Sequence, residues 1–560
     1  MNLQTENFVL NNYIFNRNEI GKIQKEKYSN NYPIVYIIYD LNSKRAYVGE
    51  STNATNRMKN HLSNPDKKKL EYVYIISSPL FNKSAALDIE SNLIKYMSGD
   101  NSFSLLNGNA GVVEHNYYQR DLYFDIFKNI WKGLKFNKVV SKDIIDITNS
   151  DLFKYSPYKS LSQDQNRAII EYLEHICNNS KSKVFIEGSA GTGKTILAVY
   201  LMKLLASDFN VDDYDKKDHG VFQKIEAVQK IKDTFGKLSF ALVVPMTSLR
   251  ETLKKVLKSI NGLSANMVIG PSDVLKKKYD LLIVDEAHRL RRRKSITNYR
   301  SFDDNNRKLG LDKELGTELD WVLLQSKHQL FFYDSEQSVK PSDVLSSDFS
   351  KVRKLSTTIK LKSQMRAQGG SDYIDYVHDL LNPNNSKVLE RFEHENYELR
   401  LFEYLPEMIS LMKEKEKQHG LCRMVAGYSW KWISRDSNVA DAKIDGVDLF
   451  WNKVGKDWIN STTDMNEMGC IHTTQGYDLN YAGIIFGKEI VFNDKTGMIE
   501  IIKENYHDAK GKQGVYDPEE LKNYLIKIYK TMMYRGIKGT FVYCCDEKLR
   551  KYFSQYMMVN

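Results

Sequence analysis

The first residues with a chemistry of their own are Gly188-Ser-Ala-Gly-Thr-Gly-Lys-Thr195, set between the apolar run KVFIE and the helical run ILAVYLMKLLA. Gly188, Gly191 and Gly193 let successive backbone N–H groups turn toward a phosphate. Lys194 reaches the β and γ oxygens, and the Thr195 hydroxyl suits a Mg2+ ion. Further along, LLIVDEAH (281–288) ends an apolar strand in two carboxylates. Asp285 can hold the water shell of that Mg2+, and Glu286 is placed to polarise an attacking water. Together these residues predict ATP as a bound nucleotide, with Thr195 and Asp285 as metal-holding groups.

A second set lies near the N-terminus. Tyr36 sits on one apolar run (VYIIYD) and Tyr47 on the next (AYVGE). Arg57 opens a helix that carries His61 one turn later, Glu90 lies on a second helix (LDIESNLIKYM), and Asn107 follows in LLNGNAG. Over residues 33–110 this pattern resembles the GIY-YIG nucleases, with Val35 where the first motif has its glycine. The resemblance implies that the tyrosines, the arginine, the glutamate and the late asparagine line one site on the sheet surface.

Phosphodiester hydrolysis needs a base for water, a cation beside the phosphate and a metal at the leaving oxygen. The resemblance points to Tyr47 as proton acceptor, assisted by Tyr36 or His61. Arg57 would hold the scissile phosphate, since a guanidinium binds it in two places. Glu90 would ligate one Mg2+ or Mn2+, an oxygen donor for a hard cation. Glu50 stands where several relatives carry a lysine near the phosphate.

From about 160 to 545 the chain resembles the superfamily 1 helicases, in particular bacterial single-chain helicase-like ATPases. Beyond the phosphate motifs, LSQDQ (161–165) resembles the adenine-reading segment and points to Gln165. VVPMTSLRETL (243–253) resembles the loop that touches the nucleic-acid backbone. FFYDSEQ (331–337) implies that Asp334 and Gln337 sense the γ-phosphate, and LKSQMRAQGG (361–370) implies that Arg366 enters the ATP site from the second domain. IHTTQGYDLN (471–480) places Thr474, Gln475 and Gly476 where ATP state meets strand grip. MMYRGIKG (532–539) offers Arg535 as a second arginine finger, with Tyr534 where relatives more often carry threonine. Two arginines from one domain would neutralise charge on a phosphate held by the other.

The elements that must position these groups read as α/β throughout. A small GIY-YIG-like nuclease module, 1–115, precedes a helical connector, 116–155. Apolar runs alternating with helices then predict two RecA-like parallel-sheet motor domains, 156–355 and 356–560. With 42% hydrophobic and 27% charged residues the chain is globular. Its 81 Lys and Arg against 71 Asp and Glu favour a polyanionic partner. Five scattered cysteines without zinc spacing, no signal-peptide pattern and no long apolar window predict a cytoplasmic protein with no membrane partner.

Two weaker features stand out. HRLRRRKS (288–295) is either a solvated loop or a phosphate contact. Trp430 and Trp432 in YSWKWIS can stack on bases, although alternation after RMVAG favours a sheet edge or core.

The combined expectation is an ATP-dependent nucleic-acid-processing enzyme that joins a metal-dependent endonuclease to a helicase or translocase. DNA is the favoured substrate, in bacterial defence against phage, with repair as the other context. The competing expectations are an RNA-directed nuclease–helicase and an ATP-gated nucleic-acid-binding sensor whose N-terminal module serves for targeting. A homo-oligomer is compatible with the sequence.

Overall fold

Residues 34–39 alternate between two faces, and both faces are covered. β3 (Asn30–Asp40) pairs antiparallel with β4 (Arg45–Asn53) and β5 (Tyr72–Ser77). With β1 (Leu3–Gln4), β2 (Val9–Ile14) and β6 (Ser104–Leu105) they form one sheet of order β1-β2-β5-β3-β4-β6. Ile34, Tyr36 and Ile38 share a buried cluster with Tyr47, Ala54 and Met58. Val35, Ile37 and Tyr39 face the other way, onto Ile89, Leu93 and Tyr96. This period of two is what a strand between two helical layers requires.

The first face is covered by α2 (Ala54–Ser63), beside α1 (Ile20–Gln24); the second is covered by α3 (Lys83–Asp100). The Asn53 side chain caps α2 by accepting from the Asn56 backbone, and Asn82 caps α3 through Ala85. α4 (Arg120–Phe136) packs Ile126, Phe127, Ile130 and Trp131 into the α3 face. The expected connector therefore shares that module's core.

The structure is a computed structural model and describes residues 3–5, 7–108, 117–209, 219–338, 340–383, 389–454, 458–474 and 476–560. Two compact units divide the chain. One comprises Met1–Asn178, Ile196–Lys237 and Thr252–Val268; the other comprises Asn179–Thr195, Leu238–Glu251 and Ile269–Asn560. Among the described residues no helix is long and apolar enough to cross a membrane.

The second unit carries two largely parallel sheets, as expected of the motor. In the first, β7 (Ser182–Glu187), β8 (Phe240–Val243), β9 (Val268–Ile269), β10 (Tyr279–Val284), β11 (Ser326–Tyr333) and β12 (Thr357–Lys360) take the order β12-β7-β11-β10-β8-β9. The second sheet is built from β13 (Glu398–Phe402), β14 (Cys422–Ala426), β15 (Ala442–Ile444), β16 (Val447–Trp451), β17 (Glu467–Gly469), β18 (Leu479–Phe486), β21 (Gly536–Cys544) and β22 (Met558–Val559). Its order is β15-β16-β17-β14-β18-β21-β13-β22, with β19 (Ile490–Asn493) and β20 (Met498–Ile501) as a separate hairpin. Every residue of β18 is buried, as a central parallel strand covered on both faces should be.

Chemistry collects where such strands end. β7 leads into residues 188–195, β10 into Asp285, β11 into Asp334 and β17 into residues 470–478. Open α/β sheets bind ligands at the carboxyl ends of their strands, and both sheets follow that rule in where they place their motifs.

Candidate active sites

On β3 and β4 Tyr36 lies opposite Gly49 and Tyr47 lies opposite Ile38, so both phenols share one face. A β-carbon at Gly49 would collide with the Tyr36 hydroxyl, and the absence of one lets the ring lie flat across the strand. The Tyr36 hydroxyl stands 2.7 Å from the His61 Nε2, and Arg57 Nε donates to the same hydroxyl at 3.1 Å. Burial first, then Lys67 and Arg57, push the His61 imidazole down to about 2. The ring is thus neutral, and in the tautomer that leaves Nε2 bare it accepts the Tyr36 proton. Tyr47 carries the Lys67 ammonium 3.6 Å from its ring centroid and meets the His61 ring edge-on at 5.1 Å.

Glu90 stands on α3, the helix on the opposite side of the sheet. Burial, then the neighbouring Glu50, push its carboxyl up to about 8 against the pull of Lys83 and Arg57. Lys83 Nζ lies 2.6 Å from Glu50 Oε1, so the cation expected at position 50 is supplied instead from the start of α3. Glu50 Oε2 is buried with no hydrogen bond. Asn107 does something narrower than the resemblance implies. Its amide binds both backbone groups of Val48, at 3.1 and 2.8 Å, and so fixes β4 between Tyr47 and Gly49.

In the second unit Gly191 and Gly193 adopt φ of 86° and 77°, a region open to glycine at little cost. Gly188 is needed for closeness, since a β-carbon there would meet Thr192. Lys194 Nζ donates to the Gly188 and Ser189 carbonyls at 2.6 and 2.9 Å and stands 3.6 Å from Asp334. Thr195 donates to Asp285 Oδ2 at 2.8 Å, while Asp285 Oδ1 is buried with no hydrogen bond.

Burial and the adjacent Glu286 push Asp285 up to about 7. Burial also raises Glu286, but His288, Lys194 and Arg535 outweigh it and hold that carboxyl well below its ordinary range. His288 Nε2 stands 2.9 Å from it.

Groups from later in the chain converge on the same place. Gln337 donates to Asp334 at 2.6 Å, and the buried Arg535 donates to Tyr477 O at 3.3 Å and reaches Gln337 Oε1 at 3.5 Å. Gln364 Nε2 donates to Ala190 O at 2.7 Å, and a β-carbon on Gly191 would meet Gln364 and Arg366. The Arg366 guanidinium itself is ion-paired with Asp478. Gly476 has φ 90° and lies against Leu249 of the expected strand-contacting loop, while Gln475 lies outside the described residues.

Residues 181–546 of the 560 match the family described as Schlafen group 3, DNA/RNA helicase domain. The chain belongs to that family. Residues 32–98 match the GIY-YIG catalytic domain, so this Schlafen-type helicase is fused to a nuclease module and is a nucleic-acid-processing enzyme. An uncharacterized protein of Saccharomyces cerevisiae is 24% identical over 407 residues, covering 65% of this chain and 82% of its own. A crystal structure of Bacteroides Pif1 bound to ssDNA is similar at TM-score 0.26 and 10% identity, covering 68% of this chain and 92% of that one. The structure of Mss116p bound to ssRNA and AMP-PNP is similar at TM-score 0.29 and 14% identity, covering 77% and 79%.

Other sequence features of this helicase resolve differently. In the basic run, Arg289 pairs with Asp343 at 2.7 Å, Arg291 with Glu318 at 2.6 Å, and Arg293 with Asp303 at 2.6 Å. Three arginines of the run are thus ion-paired, and Arg292 Nε donates to Pro341 O at 3.1 Å. Gln165, in the first unit, accepts from the Ser162 backbone at 3.1 Å at the start of α5 (Gln163–Asn178). Tyr534 is largely buried and donates to Ile374 O at 3.2 Å, an anchoring contact that threonine could not reach.

The two tryptophans divide. Trp430 packs against the core of the second sheet and Trp432 stays exposed. Sequence reading missed Lys67, Lys83, Gln364 and Asp478. Only Gln364 carried a signal, its place two residues before Arg366.

Proposed function

We propose that this chain is an ATP-driven endonuclease acting on DNA, in which the helicase unit grips or moves along the strand and the N-terminal module cuts it. The observation that carries this reading is the intact hydrogen-bonded set of Arg57, Tyr36 and His61, with Glu90 within the electrostatic reach of Arg57. We read the chain as nuclease (1–115), connector (116–155) and two RecA-like domains (156–355 and 356–560).

At the nuclease, Tyr36 rather than Tyr47 is the better proton acceptor, because its hydroxyl already has a neutral imidazole to receive its own proton. Burial is the first cause of His61's neutrality; a bound phosphate would offset the lesser one, the charges of Lys67 and Arg57, and so raise its affinity for that proton. Arg57 would orient the scissile phosphate. The unbonded Glu50 Oε2 beside Glu90 fits a hard cation, so these two carboxylates would hold Mg2+ or Mn2+. Such an ion, when bound, supplies positive charge at the leaving oxygen.

At the ATPase, the unbonded Asp285 Oδ1 next to Thr195 likewise fits Mg2+. Lys194 would exchange its loop carbonyls for phosphate oxygens, with Gly188, Gly191 and Gly193 lining the cradle. Glu286, kept ionised by His288, would polarise the water. Asp334 and Gln337 would sense the γ-phosphate, Gln165 would read adenine, and Arg366 and Arg535 would neutralise developing charge. Gln475 and Gly476 would link that state to strand grip. A nuclease joined to a motor suits restriction of foreign DNA in a bacterial cytoplasm, and the basic surplus suits a polyanion.

The test is direct. The purified chain is given divalent metal and labelled duplex DNA, single-stranded DNA or RNA, with and without ATP. DNA cleavage that responds to ATP and vanishes in Glu90→Ala supports the reading. Cleavage of RNA alone would redirect it to RNA, and ATP turnover surviving in Lys194→Ala would overturn the ATPase assignment.

A further inference from the structure

The chain leaving β14 at Ala426 forms a loop at the same carboxyl edge of the second sheet that carries residues 470–478. That loop is held rigidly. The Asp441 carboxylate accepts from the backbones of Ile433, Ser434 and Trp451 at 2.5, 2.8 and 2.7 Å, and from the Ser434 hydroxyl. Thus fixed, Trp432 remains 44% exposed, which leaves indole surface open beside the loop.

Beside it lies a cavity of about 360 Å³ lined by Trp432, Ser434, Arg435, Asn438, Phe450 and Lys453, among others, with no carboxylate in its wall among the described residues. The Arg435 guanidinium stands 5.7 Å from the Trp432 ring, and the Lys453 ammonium 4.9 Å from the Phe450 ring. Aromatic surface with two cations and neutral hydrogen-bonding groups matches one kind of ligand: a flat base attached to phosphates.

One wall residue reaches further. Asn452 Oδ1 accepts from Thr473 at 2.9 Å, and its Nδ2 contacts Cys470 Sγ at 3.3 Å. Those two residues begin the segment whose end, Tyr477 and Asp478, holds Arg535 and Arg366.

We propose that this cavity stacks a base of single-stranded nucleic acid on Trp432, with Arg435 and Lys453 on the flanking phosphates, and that Asn452 transmits its occupancy to residues 470–478. This rests on the nucleic-acid-processing reading above. The ligand is a single strand, because the face of a paired base is covered by its stacked neighbours and cannot reach the indole.

The test uses the full chain, a fluorescein-labelled oligothymidylate and an abasic oligonucleotide of equal length, read by anisotropy. Trp432→Ala should weaken oligothymidylate binding between about fivefold and about a hundredfold, the range for loss of one base–aromatic stack. It should leave the abasic strand within about twofold, as an exposed substitution away from the phosphates would. Trp432→Phe should keep most of the affinity, and Arg435→Glu should weaken both strands. Asn452→Ala should bind oligothymidylate yet lose its stimulation of ATP turnover.

Equal oligothymidylate affinity in Trp432→Ala and the unaltered chain, or an equal loss on both strands, overturns the stacking site. Full stimulation in Asn452→Ala overturns the transmission. An unaltered chain that binds no DNA or RNA oligonucleotide would instead remove the broader reading, which keeps the two failures distinct.

Discussion

The Tyr36 hydroxyl and the His61 Nε2 lie 2.7 Å apart only because the residue opposite Tyr36 on β4 is Gly49. An added methyl there would strike the phenol itself and move it off both His61 and Arg57. Gly49→Ala should therefore cost about 1–3 kcal/mol of stability, as overpacking of a filled site does. It should also lower DNA cleavage by at least about a hundredfold if Tyr36 is the general base, the typical contribution of such a group. ATP turnover should persist. Unchanged cleavage kinetics would mean that the position of this hydroxyl is immaterial.

The same pair makes a statement about pH. His61 titrates at about 2 in the folded chain, far below its ordinary 6.5, so between those values the unfolded chain binds a proton that the folded one does not. Stability from this group is complete above about 6.5 and is lost as pH falls below that value. Urea midpoints of the unaltered chain and of His61→Gln, compared from pH 7 to 4, should converge as the pH drops. Parallel curves would show that His61 already titrates normally.

How far these sites could be read from the residues alone depends on where each partner comes from. The phosphate cradle is local: glycines, lysine and threonine are neighbours in the chain, and the strand before them is an apolar run. Tyr36 and Tyr47 could be placed at one site only through the GIY-YIG resemblance, since the shared face depends on the register of β3 against β4. Lys67, Lys83 and Asp478 could not be found, because their importance arises from tertiary approach to Tyr47, Glu50 and Arg366.

The basic run 288–295 shows the converse. It looked available for phosphate because its acidic partners, among them Asp303, Glu318 and Asp343, lie elsewhere in the sequence. Asn107 resembled a site residue by motif, and its amide holds both backbone groups of Val48.

Glu90 carries the opposite pH dependence from His61. Its carboxyl titrates at about 8 against an ordinary 4.5, so across that interval the folded chain keeps a proton the unfolded chain has lost. Stability must fall as pH rises through that window. Glu90→Gln should flatten the fall. Lys83→Ala, by removing a cation that lowers Glu90, should carry the fall to higher pH. A divalent cation competes with the proton, so the rise in Tm on adding Mn2+ should be larger at pH 9 than at pH 6. A Tm rise independent of pH, or one retained in Glu90→Gln, would place the metal elsewhere.

Arg366 is next to the phosphate loop but not directed at a phosphate. Its β-carbon lies close enough to Gly191 that a methyl there would touch it, while its guanidinium is committed to Asp478. An arginine that neutralises the transferred phosphoryl group must exchange that carboxylate for the nucleotide. Two variants separate the consequences. Arg366→Ala should reduce kcat for ATP by about a thousandfold, the lower range for an arginine finger, with little change in nucleotide affinity. Asp478→Asn frees the guanidinium without removing it, so nucleotide should bind more tightly and turnover without nucleic acid should rise. Steady-state ATPase assays with mant-ATP titrations read both quantities. If Asp478→Asn instead loses turnover to the same extent as Arg366→Ala, the pair acts as one catalytic unit and the carboxylate is needed to aim the arginine.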